Sequence, residues 1–272
     1  MTIALNILRV LGAIAITTFA GAPMLCVIYV NYIYGLISAR LGHPERLNRA
    51  LAWNAWLAGT VAQKFWARPL LELCSVRATF RCAVPVDWEV SHVICANHAS
   101  IFDILALVAV VPPPFRFVAK RELLKWPIIG WTLRPGGQIV VDRSDHAGSA
   151  AKIHLEAARG IEGQVIFFVE GTRTPTGELL PFKKGAFHFA LDANLPILPT
   201  AITGSFGVLA KVPWWRMHPG RDIEVVFGRA VPVMSAADES ARHEEVQRLL
   251  TAAREQIAAA MRSSAVNQIQ SQ

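Results

Sequence analysis

The feature that most constrains this chain is an uncharged run near its beginning. No Asp, Glu, Lys or Arg occurs between Arg9 and Arg40. A helix needs about 20 apolar residues to cross a bilayer, so the run is long enough to do so. Gly21-Ala22-Pro23 interrupts it, and proline disfavours a continuous helix. The run therefore predicts one kinked span, two shorter helices that enter and leave one leaflet, or a cleaved signal peptide. The last is disfavoured because apolar residues continue past Pro23.

The residues that follow predict how this segment is oriented. Arg40, Arg46 and Arg49 follow the run, whereas Arg9 alone precedes it. The positive-inside rule then predicts that the following domain lies in the cytoplasm, at the inner membrane. Segment 51–71 carries four aromatic residues among Gln, Lys and Arg, a pattern typical of an interfacial helix. A packed helix with its tryptophans in the core is the alternative. We predict a membrane anchor and interfacial helix over 1–72.

Composition excludes several classes of protein. Charged residues make up 17% of the 272 residues, against about 25% in ordinary soluble domains, and 53% are hydrophobic. A chain this apolar is not disordered. A polytopic transporter is excluded because no comparable uncharged run recurs. The net charge of +7 suits an anionic membrane or a phosphorylated substrate. No nucleic-acid partner is expected, because the basic residues are scattered without a basic run.

From 73 to 262, short apolar strands alternate with helices. This order predicts an α/β fold, a mixed sheet flanked by helices, as the main domain. The predicted strands are 76–82, 90–96, 115–119, 138–141, 164–169, 195–203 and 223–227. The predicted helices are 101–111, 144–159, 184–191 and 237–261. The polar tail 263–272 is predicted to be frayed.

One polar cluster follows an apolar strand and opens a helix, the segment Asn97-His98-Ala99-Ser100-Ile101-Phe102-Asp103. Open α/β sheets place ligands at the carboxyl ends of strands. An Asp–His pair there provides a general base whose tautomer the carboxylate fixes. Ser100 is the only nearby nucleophile, and it fits equally as a helix N-cap. The pattern therefore favours direct deprotonation of a substrate hydroxyl, and a capping cluster around a buried histidine is the alternative.

A second set of polar residues follows other strands and could bind an anion. Glycine allows close backbone approach, threonine and arginine donate hydrogen bonds, and arginine matches phosphate geometry. Solvated surface charge is the alternative for any one of them. Their coincidence after apolar strands predicts a substrate-binding site comprising Lys120, Arg143, Glu170, Gly171, Thr172 and Arg173.

These motifs resemble the ordered boxes of the glycerolipid acyltransferase family. Asn97-His98-x-Ser100-x-x-Asp103 is similar to the first box, and Val141-Asp142-Arg143 is similar to the second. Segment 168–173 resembles the third, except that Val169 stands where the family has proline. Segment 195–199 is similar to the fourth, so the resemblance covers roughly 76–233. Segment 120–131 resembles the bacterial subgroup that acylates 1-acyl-glycerol-3-phosphate.

The resemblance implies acyl transfer from acyl-CoA or acyl carrier protein to the 2-hydroxyl of 1-acyl-glycerol-3-phosphate, forming phosphatidic acid. For such a reaction, the residues themselves predict that His98 is the base, that Asp103 orients it, and that no acyl-enzyme forms. Arg173 would hold the acceptor phosphate with support from Arg143. No metal or organic cofactor is expected.

Three other functions remain open from the sequence. The first is acyl transfer to another lysolipid, such as lyso-ornithine lipid or a lysophospholipid. The second is a membrane-binding module without catalysis, for which the His98–Asp103 pair would have no use. The third is a thioesterase or lipase, which the absence of a GxSxG nucleophile elbow disfavours.

Overall fold

The N-terminal part of the chain is a helical hairpin. The computed structural model describes residues 2–126, 129–142, 146–158, 162–211 and 217–270. Helix α1 (Thr2–Arg40) is followed by α2 (Pro44–Ala62), a π-helical segment (Gln63–Ala67) and α3 (Arg68–Leu73). The backbone of α1 stays helical at Pro23, so the predicted pair of shorter helices is not observed. Within the described residues, no helix meets the length and hydropathy that a bilayer span requires.

Helix α1 runs back along α2 and α3. At one end Gly35 lies against α2, where an added Cβ would come within 3.0 Å of the Ala50 side chain. At the other end the Arg9 guanidinium donates a hydrogen bond to the carbonyl of Leu73 at 3.1 Å. Of the aromatic residues predicted to be interfacial, Trp53 and Trp56 are exposed, whereas Trp66 packs against the core. The core-packed alternative for segment 51–71 therefore holds for Trp66, and the interfacial placement of the exposed tryptophans stays a prediction.

A seven-stranded mixed sheet forms the centre of the molecule, as predicted. The strands are β1 (Arg77–Cys82), β2 (Val93–Ala96), β3 (Phe115–Lys120), β4 (Ile139–Val141), β5 (Gln164–Phe168), β6 (Ile197–Thr203) and β7 (Asp222–Phe227). Their order is β1-β7-β6-β2-β5-β3-β4. Only the β6–β7 pair is antiparallel, so β2 to β6 all end at one edge.

Helices cover both faces of this sheet. They are α4 (Phe102–Val110), α5 (Ile129–Leu133), α6 (His146–Ala158), α7 (Gly185–Ala193), α8 (Ser205–Val208) and α9 (Glu239–Gln270), with a 3₁₀ turn at Arg121–Lys125. Strand β2 is buried on both faces, as expected for a central strand of a covered sheet. Ile94 packs with α3 and α4, and Val93 packs with α7 and α9.

The structure corrects the prediction at the C-terminal end. Residues 263–270, predicted to fray, continue α9 to Gln270, and they contain no Gly or Pro that would end a helix. Ser264 also docks on the sheet, because its hydroxyl donates to Glu224 Oε2 at 2.6 Å. Arg81 donates to the same hydroxyl at 3.3 Å and ties β1 to this helix.

Candidate active site

His98 and Asp103 form a close pair at the carboxyl end of β2. His98 lies two residues beyond β2, and Asp103 lies in the first turn of α4. His98 Nδ1 lies 2.8 Å from Asp103 Oδ2. The same oxygen accepts the backbone N–H groups of Ala99 at 2.7 Å and Ser100 at 2.8 Å. Because Asp103 is fully buried, these donors stabilise its charge and fix the ring that it contacts.

The imidazole of His98 is held from one side by an aromatic ring. It stacks on Phe168, with centroids 3.9 Å apart and planes inclined by 17°. The side chain keeps 14% of its surface exposed, so solvent or a ligand can reach it. Among the described residues, only Nδ1 of this ring is hydrogen-bonded. Nε2 is therefore the nitrogen that can take a substrate proton.

Glu170 holds the backbone beneath His98. Its Oε1 accepts the N–H of His98 at 2.8 Å, and its Oε2 accepts the N–H of Leu180 at 3.0 Å. Burial raises the pKa of this carboxyl, although the two backbone N–H groups act in the opposite direction. The contacts observed for Glu170 are thus to backbone, and its predicted contact with the acceptor stays a prediction. These contacts give it a positioning role.

The loop after β5 carries the predicted anion-binding residues. Gly171 has φ of +73°, a conformation that residues with a side chain rarely adopt. Thr172 is exposed, and Arg173 is partly exposed. The N–H of Thr174 donates to the carbonyl of His98 at 2.8 Å. The loop that bears Thr172 and Arg173 is therefore attached directly to the backbone of the proposed base.

Lys211 is a cation of this site that the sequence analysis did not assign to it. Its ammonium donates to Thr172 Oγ1 at 3.3 Å and to the carbonyl of Arg173 at 3.5 Å. Two residues earlier, the carbonyl of Leu209 accepts the hydroxyl of Ser100 at 2.7 Å. The signal in the sequence is its place soon after β6, which ends at the same sheet edge.

Lys120 and the β4 end lie at that same edge. Lys120 pairs with Val141 in the β3–β4 register and is exposed. Arg121 donates to Asp142 at 3.0 Å. Arg143 lies outside the described residues. Across the described ranges, no hydrogen bond joins Lys120 to His98 or to the loop after β5. Its part in binding substrate stays a prediction.

Ser100 is built into the loop that follows β2, and its hydroxyl bonds to backbone groups. The residue is fully buried, and its hydroxyl donates to Leu209 and accepts the N–H of Phe102 at 3.3 Å. Ser100 lies one residue before Ile101, the N-cap of α4, so the predicted N-cap position is wrong by one residue. A base paired with a carboxylate, without a protein nucleophile, suits attack by a hydroxyl of the substrate itself.

A comparison with known proteins defines the class. Residues 83–203 match the family model described as Acyltransferase. The matched segment contains the His98–Asp103 pair and the whole loop after β5. This part of the chain is therefore similar to the acyltransferase family in the segment that holds the proposed site.

Two curated relatives are similar to this chain over part of their length. A 1-acyl-sn-glycerol-3-phosphate acyltransferase of Cocos nucifera is 39% identical over 112 residues, which cover 40% of this chain and 36% of that protein. The alpha enzyme of that name from Mus musculus is 36% identical over 133 residues, covering 48% and 46%. The chain thus spans less than half the length of these curated relatives.

A solved structure shares the fold. The crystal structure of the 1-acyl-sn-glycerophosphate (LPA) acyltransferase PlsC from Thermotoga maritima aligns with a TM-score of 0.58. The alignment covers 91% of this chain and 97% of that one, at 21% sequence identity. The mixed sheet and its flanking helices are therefore a known architecture.

Proposed function

We propose that this protein is an O-acyltransferase that moves a fatty acyl chain from a thioester to the 2-hydroxyl of 1-acyl-glycerol-3-phosphate, giving phosphatidic acid. The observation that carries the proposal is the buried Asp103 carboxylate 2.8 Å from His98 Nδ1, at the carboxyl end of β2. The names of the relatives support the acceptor and the reaction. Acyl-CoA or acyl carrier protein supplies the acyl group.

In this mechanism His98 Nε2 accepts the proton of the glycerol hydroxyl as its oxygen attacks the thioester carbon. The carbon–sulfur bond then breaks, and the thiolate leaving group takes up a proton. Asp103 stabilises the imidazolium that forms and keeps the proton-accepting nitrogen free. General-base assistance of this kind contributes about 10²- to 10⁴-fold in rate. No acyl-enzyme forms, because Ser100 is buried and bonded to Leu209.

The acceptor phosphate is proposed to bind at the loop after β5. Arg173 provides a planar, permanently charged donor set, and Thr172 adds a hydroxyl. Lys211 already contacts this loop and places a second cation beside it. Phosphate binding by two cations and a hydroxyl fits an acceptor that carries a phosphomonoester.

The residue at position 169 is a reason to consider another lysolipid as a second candidate acceptor. Val169 replaces the proline of the family's third box, and its N–H donates to the carbonyl of Ala96 at 3.0 Å. Proline has no N–H and could not make that bond. The β2–β5 pairing therefore extends one residue closer to Glu170 and its loop. Assays of several lysolipids side by side separate the two candidates.

The hairpin is proposed to rest on the cytoplasmic surface of the inner membrane. Large apolar side chains are exposed along it, and contiguous exposed apolar surface marks interaction sites. They include Val30, Ile33, Ile37, Leu41, Trp53, Trp56 and Phe65. Such a placement brings lipid substrates and the sheet edge into the same compartment.

The direct test is His98→Ala, assayed with labelled acyl-CoA and 1-acyl-glycerol-3-phosphate. We expect the rate to fall by about 10²- to 10⁴-fold, because the hydroxyl must then lose its proton without a base. His243→Ala, an exposed histidine on α9, is the matched control and should keep full activity. A His98→Ala enzyme within about tenfold of the wild type would exclude the base role.

A further inference from the structure

The hairpin carries a groove that shares no residue with the site around His98. Its apolar part is lined by Cys26, Val27 and Val30 of α1. Its polar part is lined by Arg46 and Arg49 of α2. Asn31, Tyr34 and Trp53 line both parts, so the two are continuous.

The two arginines of the groove lie at the N-terminal end of a helix, where positive charge is least favourable. Both lie in the first two turns of α2, next to the positive end of its dipole, where cations are disfavoured. The carboxylate in this turn, Glu45, lies 3.4 Å from His43. Within the described residues, neither arginine takes part in an ion pair. An anion between Arg46 and Arg49 would relieve this unfavourable charge.

The floor of the groove is fixed before any ligand arrives. Asn31 Nδ2 donates to the carbonyl of Ala50 at 3.2 Å and to Asn54 Oδ1 at 3.0 Å. Asn54, which is fully buried, donates in turn to the carbonyl of Ile28 at 2.9 Å. These bonds cross from α2 to α1 and hold the two walls together. A preorganised groove loses less freedom when a ligand binds.

The polarity of the groove matches one kind of molecule. An apolar trough leads past two aromatic side chains to a pair of cations, and aromatic residues favour the boundary between acyl chains and headgroups. Arginine pairs with phosphate through parallel donors. We propose that the groove binds a single anionic phospholipid of the membrane, with its phosphate between Arg46 and Arg49 and an acyl chain along Cys26–Val30. This site is separate from the proposed acceptor site and independent of acyl transfer.

The test compares two double variants of the full-length protein. Arg46→Gln/Arg49→Gln removes the groove cations, and Arg40→Gln/Lys64→Gln removes two exposed charges of the same hairpin that do not line it. Each protein is mixed with phosphatidylcholine vesicles that contain a minority of phosphatidylglycerol. Bromine on the acyl chains of one lipid or the other quenches Trp53, whose signal is isolated by subtracting a Trp53→Phe variant.

In the wild type and the control, we expect stronger quenching when bromine is carried by phosphatidylglycerol. In the groove variant that preference should vanish, and vesicle affinity should fall about tenfold more than in the control. Equal quenching by both labelled lipids, or equal losses in the two double variants, would show delocalised attraction and overturn the proposal. Loss of the preference on adding inorganic phosphate would overturn it in favour of a free-anion site.

The proposed acyl transfer and the proposed lipid groove can be tested independently of each other. Acyl transfer in detergent micelles without phosphatidylglycerol should be the same in the groove variant and the wild type. If His98→Ala kept its activity while the quenching preference persisted, only the proposed function would be wrong. If the preference were absent from an active enzyme, only the lipid groove would be wrong.

Discussion

The two oxygens of Asp103 differ sharply in their contacts. Oδ2 accepts from His98 Nδ1, Ala99 and Ser100, whereas buried Oδ1 has no hydrogen-bond partner among the described residues. In Asp103→Asn, the amide oxygen could therefore replace Oδ2 and keep all three contacts. The NH₂ group would then occupy the Oδ1 position, where it would be buried and without an acceptor.

Asp103→Asn thus removes the negative charge of this side chain while keeping its contacts with His98 and the loop. We expect kcat to fall by about 10²-fold or more, because a neutral amide cannot stabilise the imidazolium, while both KM values change little. Steady-state kinetics with each substrate varied in turn measures this split. A kcat near that of the wild type would mean that Asp103 acts only as a scaffold for the loop.

Lys211 gives a prediction about acceptor binding. Lys211→Met keeps the aliphatic stem and removes the charge beside Thr172 and Arg173. We expect the acceptor KM to rise about tenfold or more with kcat nearly unchanged, since a charged hydrogen bond contributes about 1.5–3 kcal/mol. Lys184→Met, an exposed lysine at the start of α7, is the control. A rise confined to the acyl-donor KM would refute the assignment.

At the scale of elements, a buried histidine joins β2 to β5. The backbone N–H of His92 donates to Gln164 Oε1 at 3.0 Å, and its Nδ1 lies 3.2 Å from the same oxygen. Burial lowers the pKa of His92, against the weaker raising effects of Gln164, Val90 and Asp87. The unfolded chain takes up this proton near pH 6.5, at a higher pH than the folded one.

The sign of the pH dependence follows from this difference. The contribution of neutral His92 is complete above about pH 6.5 and is lost as pH falls towards the lowered pKa. In His92→Asn, whose amide can replace Nδ1, we expect the free energy of unfolding to fall less steeply below that pH. Urea titrations at several pH values measure the slope. Burial also lowers the pKa of the partly buried His188, which contributes in the same direction, so part of the slope should remain.

If the slope were unchanged in His92→Asn, the pKa of the His92 ring would not differ between the folded and unfolded states, and the prediction would be wrong. His243→Asn, which replaces an exposed histidine on α9, serves as the control.

The sequence predicted the central elements because local pattern and tertiary environment agree there. Strand β5 is an apolar run that is nearly all buried, and the glycine and charges after it mark its end. Pro23 left one kinked span or two shorter helices open, and the structure has one continuous helix that packs along α2 and α3. Near the end of α9, Ser264 contacts Arg81 and Glu224, which lie far away in sequence. Periodicity in the sequence cannot predict contacts between residues that only folding brings together.

The same limit applied to the site. His98 and Asp103 are five residues apart on one strand–helix junction, so their contact could be predicted from spacing. Lys211 reaches Thr172 across 39 positions in the chain, and no local pattern reports such a contact. Glu170 follows strand β5, which ends at Phe168, one residue earlier than predicted. Its two backbone partners became visible only in the fold.

For the whole molecule, the hairpin and the site share one rigid element, helix α4. The N-terminal end of α4 carries Asp103, and its C-terminal carbonyl groups are bound by the hairpin. Gln63 donates to the carbonyl of Ala109 at 3.1 Å, and Ala67 and Leu71 pack in the same apolar layer as α4. If the hairpin binds a membrane surface, helix α4 therefore fixes the orientation of the His98–Asp103 pair relative to that surface.

An exposed apolar stripe along the end of α1 and the turn after it gives a prediction for the whole protein. Ile33, Ile37 and Leu41 recur every four residues and are each half exposed or more. Replacing all three by glutamine should weaken partition into phosphatidylcholine vesicles at least about tenfold, since burying one such side chain contributes about 1.5–3 kcal/mol. Vesicle sedimentation measures the loss, and the thermal midpoint should not fall, because these side chains do not lie in the core.

Three similarly exposed apolar residues elsewhere provide the matched control. Phe80, Val90 and Leu155 lie on β1, on the loop before β2 and on α6, away from the hairpin. Their replacement by glutamine removes comparable apolar area, and we expect vesicle binding to be unchanged. If both triple variants lost binding equally, apolar area in general would drive association, and the hairpin would not be the membrane-facing surface. If neither triple variant lost vesicle binding, the stripe would be exposed for another reason. The proposal that membrane binding orients the site would then be wrong as well.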